Sequence, residues 1–372
     1  MSELGALQHP LMALPLAAFK RYERQLSAAA MLAGFAFDNY FFGRVDHPAT
    51  QVVLLAYVVV TVLAVLGLHF VESWPVSDQL FKKGRPALSA LSQFTLGGLW
   101  SAFLIFYGRS AVVATSWPFL ALLAGMLVGN EVFRKYHTRL AFTCTLLFFA
   151  IFSYTIFAFP MLTGQMGQRT FLTSGALSVG AFLVVLFALR VIGRERIQEA
   201  WRGIVLGSLG VLAAINIFYF TNILPPLPLT LANAGVFHSV VKEGDTYRAV
   251  AEQGPWLRTP GTTPVMHVAS GDRLYLYSAV FAPIMLKTDV LHIWQYYDDA
   301  IGRWQTEATV RFSIMGGREG GYRGYSVKSA PRAGRWRVNI ETPDGLLIGR
   351  VPFMVAAASA SGAVKTVDQI LR

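Results

Sequence analysis

Long apolar runs fill residues 26–224 almost without interruption. An uncharged apolar run of about 20 residues is long enough to cross a bilayer as a helix. Seven such runs are present, and the first of them, at 26–42, is the weakest because Asp38 and Asn39 interrupt it. The runs therefore predict a membrane all-α bundle of about seven transmembrane helices. The other six runs lie at 52–71, 87–107, 111–133, 140–162, 170–189 and 203–224.

A change in composition near Pro225 divides the chain. Only 14% of all residues are charged, whereas a soluble domain has about 25%. The deficit lies in the apolar runs, and residues 235–355 have an ordinary water-soluble composition. Prolines at 225, 226 and 228 end the last run, because proline cannot continue a helix. The predicted parts are an N-terminal segment 1–25, a transmembrane domain 26–224, a connector 225–235, a second domain 236–356 and a tail 357–372.

The loop charges predict the orientation of the bundle. With a cytoplasmic N-terminus, the inner segments carry 13 Lys and Arg residues and the outer loops carry 3. Lysine and arginine are enriched on the cytoplasmic side of membrane proteins. The alternation holds in every loop and places the second domain outside the cytoplasm. We therefore expect a bacterial inner-membrane protein with a periplasmic C-terminal domain.

The net charge of +11 does not indicate a nucleic-acid-binding protein. Much of the excess lies in the short loops that set membrane orientation. From Pro225 onward, 16 Lys and Arg residues face 12 Asp and Glu residues, an excess of only four. The expected partners are the lipid bilayer and an envelope glycan, lipid headgroup or protein, but not nucleic acid.

A polar cluster is predicted at the outer end of the bundle. Asp38 falls toward the outer end of the first span, and Arg44, Asp46 and Arg109 map to the same side of the membrane. Ionisable residues in spans are costly and are therefore functional candidates. A cation within reach keeps a carboxylate charged, so Asp38 paired with Arg44 or Arg109 is the favoured structural interpretation.

The second domain reads as antiparallel β-structure. Trp336, Val338 and Ile340 alternate with polar residues, which predicts strands with one buried and one solvated face. Turn signals rich in Gly, Pro and Asp separate the strands. The pattern predicts an all-β, immunoglobulin-like sandwich. The predicted strands lie at 273–281, 290–297, 307–314, 324–329, 335–341 and 347–355.

Several short segments of this domain resemble a known bacterial family. The segments are His292-Ile293-Trp294, the strand 310–314 leading into Gly316-Gly317-Arg318, Gly321-Tyr322-Arg323, Ser326-Val327-Lys328 and Gly334-Arg335-Trp336-Arg337-Val338. Together they resemble the family of domain of unknown function 2914 over roughly residues 270–355. Segments 34–46 and 94–134 are similar to the membrane part of its multi-span members. The resemblance implies an architecture, and it implies no activity.

Two sets of side chains in this domain are candidate binding residues. His292, Trp294 and Tyr296 share one face of a strand, where they either stack on a sugar or peptide or pack in the core. Core packing is usual for such alternating aromatics in sandwiches. Arg318, Arg323 and Arg335 either meet an anionic glycan or lipid headgroup or form a solvated face. His292 has no metal partner at recognisable spacing, so we expect neither a metal nor a cofactor.

The sequence contains no strong catalytic motif, which favours a non-enzymatic role. The leading interpretation is a membrane bundle presenting a periplasmic sandwich that binds or senses an envelope component or a partner protein. The alternative is a membrane enzyme or transporter component. That alternative predicts a site near the outer face of the bundle that contains Asp38, Arg44 and Arg109.

Overall fold

The computed structural model comprises a helical bundle followed by an all-β domain. The predicted site residues Arg44, Asp46 and Arg318 lie outside the residues that the structure describes. The described residues are 35–36, 38–40, 48–74, 77–110, 112–132, 140–226, 228–253, 263–283, 286–317, 320–358 and 365–371.

Between residues 48 and 220 the described chain forms helices that coincide with the predicted apolar runs. Five of them are long and apolar enough to cross a membrane, whereas α3 offers a shorter apolar stretch, Thr115–Gly129. Most of the first predicted span lies outside the described residues, so the count of seven spans stays a prediction. The helices are α1 Pro48–Ser73, α2 Asp78–Ser110, α3 Val113–Val132, α4 Leu140–Thr163, α5 Gln168–Ile192 and α6 Arg194–Phe220.

Helix α4 lies at the centre of the bundle and packs against both α5 and α6. Gly203 and Gly207 of α6 allow the close approach: a Cβ atom at Gly207 would lie 2.1 Å from the Thr145 hydroxyl of α4. Small residues at four-residue spacing commonly bring membrane helices together in this way. A Cβ atom at Gly125 of α3, in contrast, would meet nothing within 4 Å.

The end of the bundle away from the β domain is held by polar contacts at a tight turn. Gly193 alone separates α5 from α6. The Trp74 indole donates a hydrogen bond to the Ile192 carbonyl at 2.8 Å. Glu72 accepts hydrogen bonds from Arg85 at 2.7 Å and from Arg196 at 2.6 Å. These bonds connect the end of α1 to the start of α2 and to the α5–α6 turn.

The β domain contains three sheets over its described residues. The first has strand order β1-β5-β8, the second β4-β10-β9-β6-β7 and the third β11-β3-β2. Neighbouring strands are antiparallel except for the parallel pair of β4 and β10. The strands are β1 Thr230–Phe237, β2 Ser239–Glu243, β3 Thr246–Glu252, β4 Val265–Val268, β5 Arg273–Phe281, β6 Lys287–Asp298, β7 Arg303–Met315, β8 Tyr322–Ser329, β9 Gly334–Glu341, β10 Leu347–Ala357 and β11 Thr366–Leu371.

The first two sheets share one hydrophobic core. Leu276 and Val280 of β5 pack with Val290 and Trp294 of β6 and with Trp336 of β9. All six predicted strands correspond to β5–β10. Strand β1 begins inside the predicted connector and β11 lies inside the predicted tail, so both segments are part of the domain. The immunoglobulin-like type of the sandwich stays a prediction.

The β domain contacts the bundle through the turn between β9 and β10. Leu346 of this turn is buried with the core of the bundle, and Met166, between α4 and α5, packs on the core of the β domain. The amide of Lys287 also donates a hydrogen bond to the Gly164 carbonyl at 3.2 Å. Each part therefore contributes a side chain to the other part's core.

Candidate binding surface of the β domain

His292 and Trp294 lie in the core of the β domain. Both side chains are 0% exposed. His292 Nε2 lies 2.8 Å from Ser278 Oγ on β5, and its Nδ1 lies 2.9 Å from Ser326 Oγ on β8. The Trp294 indole donates to the same Ser326 hydroxyl at 2.9 Å. These hydrogen bonds join β6 of the five-stranded sheet to two strands of the facing sheet.

Burial also decides the charge of His292. It lowers the pKa of the imidazole to about 3, because the charged form would lose its hydration in the core. The ring is therefore neutral near pH 7, and both nitrogens are satisfied by serine hydroxyls. A ligand at the domain surface therefore cannot stack on His292 or Trp294, and these two residues follow the packing alternative.

The remaining predicted residues lie apart from one another. Tyr296 is partly exposed at the edge of the core, where its ring contacts Trp336 and lies under the Arg332 guanidinium. Arg323 of β8 donates a hydrogen bond to the Asp245 carbonyl in the β2–β3 turn. Arg335 is exposed on the opposite side of the sandwich. The predicted set therefore does not form one site.

A different group of side chains shares the outer face of the five-stranded sheet. Strand pairing puts Tyr297 opposite Trp304, and Gln295 opposite Arg337. Asn339 pairs with Arg350 in the same way. Directly paired residues project to the same side of an antiparallel sheet. We call this group the arginine–aromatic face; its members are Gln295, Tyr297, Trp304, Arg335, Arg337, Asn339, Glu341 and Arg350.

Arginine side chains lie over both aromatic rings of this face. The Arg335 guanidinium carbon is 3.9 Å from the Tyr297 ring centroid, and that of Arg337 is 4.2 Å from the Trp304 centroid. The two rings meet edge to face with centroids 5.2 Å apart. A guanidinium over an aromatic face is attracted by the ring quadrupole and held in a defined orientation. The rings therefore fix where the two positive groups lie.

Hydrogen bonds hold two of the arginine side chains of this face in place. The Gln295 amide oxygen accepts from Arg337 Nε at 2.7 Å, and the Asn339 amide oxygen accepts from Arg350 Nε at 2.7 Å. Each bond uses the Nε–H of an arginine. A guanidinium carries five N–H donors, so further donors of each group can serve a bound partner.

The electrostatics of the face favour an added negative charge. Burial first, and then the charge of Arg350, lowers the pKa of Arg337. Burial likewise lowers the pKa of Arg350 and raises that of the Glu341 carboxyl. Two half-buried cations thus share one carboxylate whose own charge is disfavoured by burial. An anion placed between the guanidinium groups would offset both their repulsion and their lost hydration.

Sequence reasoning identified Arg335 of this face but not its neighbours. Alternation indicated that Arg337 and Asn339 share the polar side of β9. Nothing in the sequence gave the register that sets Gln295 beside Arg337, since strand pairing is a long-range property. Trp304 lies before the predicted start of its strand, at 307, and was therefore not placed on the sheet at all.

The structure describes part of the predicted cluster at the outer end of the bundle. Arg109 Nη2 donates to the backbone oxygen and to the side-chain oxygen of Asn39, each at 3.0 Å. The Ser101 hydroxyl lies beside Asp38. The pairing of Asp38 with Arg44 or Arg109 stays a prediction. A cavity nearby, lined by Tyr107, Tyr219 and Leu346 among others, measures about 40 Å³, which holds a water molecule or two but no substrate.

Comparison with known proteins supports the family resemblance in the β domain. Residues 287–355 match the family described as protein of unknown function DUF2914. This confirms the predicted resemblance for the segment from β6 to β10, which carries all eight members of the arginine–aromatic face. No curated protein matches the chain.

Solved structures give no further guidance. The β-glucosidase from Listeria innocua in complex with gluconolactone is 10% identical, over 32% of this chain and 17% of that chain, with a TM-score of 0.19. The Pseudomonas fluorescens alkylpurine DNA glycosylase AlkC bound to DNA containing an abasic site analog is 11% identical, over 84% of this chain and 100% of that chain, with a TM-score of 0.22. The chain spans about a sixth of the β-glucosidase.

Proposed function

We propose that this protein is a seven-span inner-membrane protein whose periplasmic, immunoglobulin-like β domain binds an anionic glycan of the cell envelope. The proposed binding site is the arginine–aromatic face. Five long apolar helices and the match to a domain of unknown function support the membrane and domain parts of the proposal. The loop charges support the orientation.

The arrangement of Arg337 and Arg350 carries the binding proposal. The two guanidinium groups are half-buried, repel each other and share one carboxylate, Glu341. A carboxylate or phosphate group fits the planar fork of a guanidinium through two parallel hydrogen bonds. Tyr297 and Trp304 support the site indirectly, because their rings hold the Arg335 and Arg337 guanidinium groups in place.

A direct binding measurement tests this proposal. The full chain in lipid nanodiscs is titrated with an oligogalacturonate and, separately, with a neutral maltooligosaccharide of the same length, by isothermal titration calorimetry. We expect the anionic sugar to bind and the neutral one not to bind at the same concentration. Affinity should fall as salt rises, since the exposed part of the interaction is screened.

Variants locate the binding. Arg337→Gln combined with Arg350→Gln should weaken binding at least tenfold, because charged hydrogen bonds of this kind contribute roughly 1.5–3 kcal/mol each. Arg248→Gln is the matched control: Arg248 is exposed on β3 of the third sheet and pairs with Glu243 at 3.1 Å. Equal losses in the double variant and the control, or equal binding of both sugars, would refute the proposed site.

A further inference from the structure

A groove opens between α5 and α6 on the surface of the bundle. It begins next to the Gly193 turn, where the two helices diverge, and has a volume of about 390 Å³. Volumes of this size are usual for small-molecule sites. Its lining residues are Leu183, Leu186, Phe187 and Arg190 of α5, and Ile197, Gln198 and Trp201 of α6.

The groove has an apolar part and a polar end. Leu183 is 55% exposed and Phe187 is 69% exposed, although both lie on a helix of membrane-spanning length. Arg190 and Gln198 lie nearer to the turn. Trp201 lies further from the turn, eight residues after Gly193, between the polar end and the apolar part of the groove. Tryptophan is enriched where membrane and water meet. The lining therefore changes from hydrocarbon-like to polar along the helix axes, as a phospholipid does.

The charge of the groove lining indicates whether an anionic or a zwitterionic lipid would bind. Among the residues that the structure describes, no carboxylate forms an ion pair with Arg190. Arg194 and Arg202 are exposed at the same end of the hairpin, together with the acids Glu195 and Glu199, but none of these four residues lines the groove. A cation near the membrane surface attracts anionic lipids, and its loss weakens that attraction about fivefold. A zwitterionic headgroup lacks the net negative charge that would complement Arg190 inside the groove.

The apolar part of the groove suits an acyl chain. Leu183, Leu186 and Phe187 follow one another along one face of α5, and a flexible chain can lie along them in the gap between the diverging helices.

We propose that this groove binds one anionic phospholipid, with an acyl chain along Leu183, Leu186 and Phe187 and the phosphate at Arg190 and Gln198. The proposal rests on the membrane placement of α5 and α6 and is independent of any ligand of the β domain. Under the proposed orientation, the lipid belongs to the cytoplasmic leaflet.

Native mass spectrometry of the full, delipidated chain in mild detergent tests the proposal. The protein is titrated with dioleoyl phosphatidylglycerol, with dioleoyl phosphatidylcholine and with glycerol phosphate. We expect one phosphatidylglycerol to stay bound at concentrations where neither the zwitterionic lipid nor the free headgroup does. Equal retention of the two lipids would overturn the charge argument. Binding of glycerol phosphate as tight as that of the lipid would overturn the role of the apolar groove.

Two variants and a control address the site itself. Arg190→Gln should reduce retention about fivefold, and Leu183→Trp, which fills the groove and keeps its charge, should also reduce it. Arg202→Gln removes an equally exposed cation that does not line the groove, and it should retain the lipid. Equal losses in Arg190→Gln and Arg202→Gln would show diffuse attraction and overturn the site. A dimer without bound lipid in the same spectra would assign the groove to a second copy of the chain.

Discussion

At the scale of single residues, the burial of His292 makes the stability of the β domain depend on pH. Its imidazole lies between Ser278 and Ser326 of the facing sheet and is fully buried. The ordinary pKa of histidine is about 6.5, and burial lowers the pKa of His292 to about 3. Below pH 6.5 the unfolded chain therefore takes up a proton at this residue that the folded domain does not.

We predict that the free energy of unfolding of the β domain falls as pH drops from about 6.5 to about 3. The contribution of His292 is fully present above pH 6.5 and declines by about 1.4 kcal/mol per pH unit within this window. Denaturant unfolding of the full chain, followed by tryptophan fluorescence at several pH values, measures it. His292→Gln should be less stable at pH 7 but less sensitive to acid. Parallel pH curves for the two proteins would contradict the assignment.

At the scale of elements, the contact between α4 and α6 depends on glycine. A side chain at Gly207 would collide with Thr145, whereas Gly125 faces open space. We predict that Gly207→Leu destabilises the bundle by roughly 1–3 kcal/mol, the usual cost of overpacking. Gly125→Leu should be neutral or slightly stabilising. Because both changes raise helix propensity equally, the difference between them isolates the effect of packing. Thermal loss of helical circular dichroism in detergent measures both; equal melting temperatures would contradict the packing argument.

Local patterns predicted elements well and the relations between elements poorly. Alternation in Trp336, Val338 and Ile340 gave β9 and its buried face. The apolar runs gave the approximate positions of the six helices α1–α6, although α2 and α6 begin nine residues before their runs. The strands β1–β4 and β11 were not predicted. β11 was assigned to a tail although it pairs with β3 across more than a hundred residues of chain. Such pairings depend on the partner strand, which a local pattern does not contain.

In the β domain, too, local patterns were predicted from the sequence, whereas tertiary contacts were not. Gly316 and Gly317 were identified as a turn signal, but the close approach of Gly316 to the backbone of Pro283 follows from the tertiary fold. His292, Trp294 and Tyr296 were correctly placed on one side of β6. Which side faces the core was not predictable, because it depends on the sheet that packs against it. The arginine–aromatic face required the register of four strands.

At the scale of the whole molecule, the orientation in the membrane is testable directly. The inner segments carry 13 Lys and Arg residues against 3 outside, so we predict that the C-terminus lies in the periplasm. A reporter that is active only in the periplasm should be active when fused after Arg372 and silent when inserted near Lys83. The reverse pattern, or activity at both positions, would contradict the seven-span topology.

The last prediction concerns how far the β domain is independent of the bundle. Two observations set the fragment that should fold alone. Leu229, just before β1, is 0% exposed in the core of the domain, and β11 pairs along the whole of β3 down to Leu371. The shortest complete domain therefore spans residues 228–371. The predicted boundaries, 236–356, would remove most of β1 and all of β11.

At one place the β domain uses the bundle to bury an apolar side chain. Leu346 is buried among bundle residues, and in an isolated fragment it would be exposed. We therefore predict that residues 228–371 with Leu346→Ser are soluble and melt cooperatively with a β-type circular dichroism spectrum. The fragment 236–356 with the same substitution should melt at least about 5 °C lower, because it loses the burial of Leu229 and a whole edge strand. If both fragments aggregate or melt without cooperativity, the bundle surface, and Met166 in particular, is needed to complete the core of the β domain.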